Sequence, residues 1–114
     1  MNPKMKQGTL DLMLLAILEK ESLYGLEILK AVERYSEGTF AFKEGSLYPA
    51  LHRLVKANYI KAYWQASTTG GAPRKYYTLT KSGEKALTRK KADWERLRNT
   101  VDAIVMKGKA WRNT

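Results

Sequence analysis

Residues 43–80 read KEGSLYPALHRLVKANYIKAYWQASTTGGAPRKYYTLT, and this stretch decides the architecture. Leu47, Leu51, Leu54 and Val55 recur at helical spacing and make one apolar face. Ser46, Tyr48, His52, Arg53 and Lys56 fill the other. Pro49 has no N–H to donate and is comfortable only in a first turn, so the helix is expected to start near Glu44–Ser46. Asn58 can close it in a left-handed conformation. Ile60–Ala66 then alternates, with Ile60, Ala62 and Trp64 on one face and Lys61, Tyr63 and Gln65 on the other. Arg74–Leu79, rich in Tyr and Thr, is a second strand that splits Tyr76 and Tyr77 between faces. Between the strands lies a flexible tip containing Gly70, Gly71 and Pro73.

Charge singles out the same stretch. The net charge is +10 over 114 residues, and it is unevenly spread. Residues 1–39 carry five Lys/Arg against six Asp/Glu, residues 40–80 six against one, and residues 81–114 ten against four. A basic surface of this kind suits a polyanion, because neutralising phosphates releases condensed counterions. The length fits one domain with a modest core. No cysteine is present, which removes disulfides and thiolate metal sites and fits a cytoplasmic protein. No apolar run is long enough to cross a bilayer, and no signal peptide is expected.

Upstream, Thr9–Glu19 reads TLDLMLLAILE and is apolar nearly all round. Such a helix must be covered on several faces, either by a partner chain, through residues such as Leu10 and Leu14, or wholly within its own core. Ser22 can cap a second helix running to about Tyr35, with Tyr24, Ile28, Val32 and Tyr35 as its inner stripe. Gly25 costs helix stability, which suggests close approach of another element or of a phosphate. Ser36–Phe42 contains Gly38 and reads as a turn. Downstream, Thr80 caps a last helix from Lys81 to about Lys107, roughly 40 Å long at about 1.5 Å per residue. Leu87, Trp94 and Val101 are seven apart, as are Leu97 and Ile104, a coiled-coil seam interrupted by Lys90. Residues 108–114 are expected to be a basic, disordered tail.

Three short helices, a hairpin and a long helix make a mostly α, α+β fold: a winged helix-turn-helix over residues 1–80 with a dimerisation helix over 81–107. The runs SLYGLEILKAVE, KEGSLYPALHRLVKANYI and GGAPRKYYTLTKSGEKAL, in that order and spacing, closely resemble the PadR family of bacterial transcriptional regulators. The likeness covers about residues 9–107, and the single C-terminal helix is similar to the small subfamily typified by a lactococcal multidrug-binding repressor. It implies a homodimeric repressor of a double-stranded DNA operator.

The helix over Glu44–Lys56 is the candidate for the major groove, which admits a helix whose side chains reach base edges. Its DNA-binding candidates are Lys43, Ser46, Tyr48, Pro49, His52, Arg53 and Lys56. In the wing, Gly70 and Gly71 allow close backbone approach to a phosphodiester, and Arg74 and Lys75 supply charge behind the tip. Tyr24 is a further phosphate-contact candidate. The dimer interface is expected from Leu10, Leu14, Leu87, Trp94, Leu97, Val101 and Ile104. In the multidrug-binding relatives, matching tryptophans from two chains sandwich flat aromatic compounds at the dimer centre. That resemblance implies Trp94 as an effector contact for a planar aromatic or hydrophobic molecule, with Leu12, Leu15, Leu97 and Val101 as pore walls. The competing reading of Trp94 is a residue that merely fills the seam.

Other classes have less behind them. An enzyme is not expected: there is one histidine, no phosphate-loop glycine pattern and no isolated carboxylate pair, and no cofactor or metal is implied. A sequence-indifferent architectural or RNA-binding winged-helix protein would use the same basic surface. A protein-interaction module fits the basic middle segment less well.

Overall fold

The computed structural model describes residues 3–39 and 43–112. Four helices and three short strands follow one another as α1 (Pro3–Lys20), β1 (Leu23–Tyr24), α2 (Gly25–Tyr35), α3 (Glu44–Lys56), β2 (Ile60–Gln65), β3 (Arg74–Leu79) and α4 (Lys81–Arg112). This is the expected α+β winged-helix order, with one addition. The sheet has three antiparallel strands in the order β1-β3-β2, because Leu23 and Tyr24 pair with Tyr77 and Tyr76. That pairing holds residues 23 and 24 extended, so α2 begins after Tyr24 rather than after Ser22. Glu27 reaches back to accept the Tyr24 N–H at 3.2 Å, satisfying a donor that the helix start leaves open.

Helix ends follow local chemistry. Asn58 sits at φ 65°, the Tyr59 N–H donates to the Leu54 carbonyl and the Asn58 N–H to that of Val55, a Schellman closure of α3. The same pattern ends α2, with Glu37 at φ 52° and the Gly38 N–H on the Glu33 carbonyl. Residues 40–42 of the expected turn and residues 113 and 114 of the expected tail lie outside the described residues. Pro49 is the sixth residue of α3, one turn later than its missing donor prefers, so the carbonyl of the exposed Gly45 goes without its helical bond. Thr80 caps α4: its Oγ1 accepts the Gly83 N–H at 2.9 Å, and its hydroxyl lies 2.6 Å from the Asn58 carbonyl. Gly83 is required here, because a Cβ would collide with the Tyr59 carbonyl. α4 runs on to Arg112, so residues 108–112 continue the helix instead of forming a tail. One interior glycine costs only about 1 kcal/mol, too little to end a long helix.

One core joins all the elements. Leu14, Leu15, Ile28, Leu47, Leu51, Ile60 and Leu87 are its largest fully enclosed side chains. This corrects the sequence expectation for four residues. Leu10, Leu14 and Leu87 were expected at a dimer interface and Leu15 in a pore wall, yet all four are buried within this chain. The reason is that α2, α3, β3 and the first turns of α4 all pack on α1, so one chain covers most of that helix. Leu12, Met13 and Ala16 stay half open.

Candidate nucleic-acid interface

α3 buries Leu47, Ala50, Leu51 and Leu54, which turns Ser46, Pro49, His52 and Lys56 to solvent. Lys43, at the residue before the helix, is exposed as well. These five form the open ridge of the candidate reading helix. Tyr48, 46% exposed, and Arg53 lie on its two flanks, and each is held by a contact. The Tyr48 hydroxyl packs against Gly25, where an added Cβ would overlap it. The close approach foreseen at Gly25 is therefore to a protein element. Arg53 donates from Nη2 to Oδ1 of Asp11 at 2.9 Å, and its Nε is buried without a hydrogen-bond partner. Arg53, a candidate to reach bases or backbone, is thus also tied to α1.

The wing has two chemically different faces. Alternation places Tyr24, Tyr63 and Tyr76 side by side across the three strands. Tyr63 stacks on Tyr76 at 5.7 Å between centroids, Tyr24 meets Tyr76 edge-on at 5.4 Å, and the Arg74 guanidinium lies 4.6 Å over the Tyr24 ring. Lys75 faces the other way, with its ammonium 6.0 Å from the rings of Trp64 and Tyr77. Arg74 and Lys75, expected to supply charge behind the tip, lie on opposite faces because the strand has a two-residue period. Tyr77 is buried, and desolvation, followed by the nearby Tyr48 hydroxyl, raises its pKa above the ordinary 10.0. At the tip, Gly70 adopts φ 85° with nothing within 4 Å of an added Cβ, so both Gly70 and Gly71 are open to a ligand.

A continuous path therefore links the candidate groups: Tyr48 on α3, Gly25 and Tyr24 at the start of α2, then Arg74 on the wing. Sequence reasoning missed Asp11, whose partner is 42 residues away and leaves no local signal. Trp64 shares a face of β2 with Ile60 as the alternation implies, yet Ile60 is buried and Trp64 exposed.

Along α1 and α4 lies an open groove of about 260 Å³ lined by Gly8, Thr9, Leu12, Lys90, Asp93, Trp94 and Leu97. It brings together three of the expected effector contacts, Leu12, Trp94 and Leu97. Leu15 is below it in the core, and Val101 lies farther along α4, outside the lining. Among the described residues, no helix is long and apolar enough to cross a membrane.

The model of the Transcriptional regulator PadR-like family matches residues 14–89, which span α1 to the first turns of α4. The chain belongs to the PadR-like family. A transcriptional regulator from Clostridium thermocellum is 31% identical, with 90% of this chain and 98% of that one covered and a TM-score of 0.80. A PadR-like transcriptional regulator from Bacillus cereus is also 31% identical, covering 90% and 96%, with a TM-score of 0.77. An uncharacterised protein of Lysinibacillus sphaericus shares 31% identity over 99 residues, 87% of this chain and 90% of that one. PadR-like proteins are DNA-binding transcriptional regulators, and in this chain α3 and the wing together make the winged-helix surface that carries Lys43, His52, Lys56 and Arg74.

Proposed function

We propose that this PadR-like regulator is a sequence-specific repressor that acts as a homodimer and is released from its operator by a planar aromatic or hydrophobic molecule bound near Trp94. One observation carries the reading. Trp94, Leu97, Val101, Ile104 and Val105 are 46%, 49%, 47%, 70% and 71% exposed on a helix whose neighbours within the chain cover only its first turns. Contiguous apolar surface of this kind marks an interaction site, and its seven-residue spacing suits a second copy of the same helix. Pairing α4 would hold two α3 helices for half-sites one turn of DNA apart, or a multiple of it.

A ligand at the seam releases DNA only to the extent that it prefers the arrangement that does not bind the operator. A tenfold preference, about 1.4 kcal/mol, gives graded release. The α1–α4 groove supports this reading because it already gathers Leu12, Trp94 and Leu97 around open volume in one chain. The test has two arms. Val101→Asp should be monomeric by light scattering and should lose operator affinity by roughly a hundredfold or more through lost avidity. A variant that stays dimeric refutes the α4 seam. In a background with Trp64→Phe and Trp111→Phe, planar aromatic compounds should quench Trp94 and weaken operator binding together. Quenching without any change in DNA affinity refutes the release mechanism.

A further inference from the structure

We propose that Asp11 is a specificity-determining positioning residue. It fixes the Arg53 guanidinium at the edge of the recognition surface, so that Arg53 reads a base edge and is withheld from indiscriminate phosphate contact. The inference rests on the sequence-specific reading above and adds to it a residue on α1, outside the reading helix.

The geometry is specific. Arg53 follows Ser46 by seven residues, so it shares that side of α3 and leans towards α1. There it spends one donor on Asp11 at 2.9 Å, with side-chain exposures of 37% for Arg53 and 16% for Asp11. A second donor, Nε, is buried and unpartnered. Arginine carries five N–H donors in a rigid planar fork. With one edge clamped and one nitrogen enclosed, the plane of that fork is set, and further donors remain on a side chain that is 37% exposed. A guanidinium with a fixed plane suits the paired acceptors N7 and O6 of guanine, which need both bonds in register. An unrestrained one accepts any phosphate.

The carboxylate also acts by its charge. Asp11, 16% exposed, sits against α3 through Arg53, and the exposed charges of that helix and the residue before it are Lys43, Glu44 and Lys56. A negative charge there repels the DNA backbone equally for every sequence, so it weakens non-specific binding. Random-sequence affinity is lowered while a correctly placed base contact is favoured, and the ratio between them rises. A plain surface ion pair between two helices, the alternative role, contributes little and would not change that ratio.

The experiment uses the full chain, a duplex enriched from a randomised pool by the wild-type protein, and a random-sequence duplex of equal length. At fixed salt, Asp11→Ala should bind the random duplex more tightly and the enriched duplex less tightly, so the ratio falls about tenfold. On the random duplex, the slope of log K against log salt should steepen by about 0.9, as a freed Arg53 neutralises one more phosphate. Asp11→Asn keeps an acceptor and should restore part of the ratio; it also carries the test if the alanine variant fails to fold. In an Arg53→Gln background, Asp11→Ala should no longer alter the ratio. Equal loss on both duplexes in Asp11→Ala, with the ratio and salt slope unchanged, overturns the proposal and leaves Asp11 a structural tie. If the wild-type protein enriches no sequence from the pool, the sequence-specific reading falls and this inference falls with it.

Discussion

The start and the middle of α4 are built from the same kinds of residue and meet opposite fates. At its start, Ala86 and Leu87 are sealed into the core, and Gly83 presses on the Tyr59 carbonyl. One to two heptads later, Leu97 and Val101 stand about half exposed. Leu87 and Leu97 are both leucines on the apolar side of one helix, yet the chain encloses the first and leaves the second half open beside α1. Periodicity identifies the apolar face; the covering elements decide how much of it the chain itself encloses.

That contrast is open to attack. Leu87→Ala should cost about 3 kcal/mol of folding stability, measured by urea denaturation, because a fully enclosed leucine leaves a cavity. Leu97→Ala in dilute solution should stay within about 0.5 kcal/mol of the parent and should shift the concentration at which chains pair. Equal destabilisation by both would erase the distinction between the two stretches. Gly83→Ala should cost about 2 kcal/mol, despite alanine's better helix propensity, because its methyl meets a backbone carbonyl that cannot swing aside. A stabilised variant would show that the start of α4 is less tightly seated than described. The smallest effect concerns Tyr77. Its folded-state pKa lies above the unfolded value, so its contribution is fully present below about pH 10 and is lost as pH rises through the folded pKa. Tyr77→Phe should move the alkaline unfolding transition, followed by circular dichroism, to higher pH.

Much of this architecture is legible from local chemistry. Asn58 closes α3, Thr80 caps α4, and β3 occupies Arg74–Leu79 as its composition implies. Each is decided within a few residues. β1 escapes such reading because a two-residue strand has no period, and only its pairing with Tyr76 and Tyr77 defines it. The candidate site divides the same way. The open ridge of Lys43, Ser46, Pro49, His52 and Lys56 follows from amphipathicity. The restraint of Arg53 does not, because polarity alone cannot say whether a cation faces solvent or a carboxylate on another helix. Likewise, Leu10, Leu14 and Leu15 are apolar enough for a seam, a pore or a core, and only the packing of α1 assigns them to the core.

The contact between Gly25 and the Tyr48 hydroxyl has a consequence for how this surface can diverge. The two positions compete for one volume, so a methyl at residue 25 and a hydroxyl at residue 48 exclude each other in the present arrangement. If Tyr48 first becomes phenylalanine, the hydroxyl overlap is gone and only ring carbons at 3.0 and 3.2 Å remain, so Gly25→Ala gains helix propensity after a small shift of the ring. In the reverse order the new methyl pushes the tyrosine ring out and tilts the flank of α3. The pair is therefore epistatic: which double variants a lineage can reach depends on the order in which the two changes arrive.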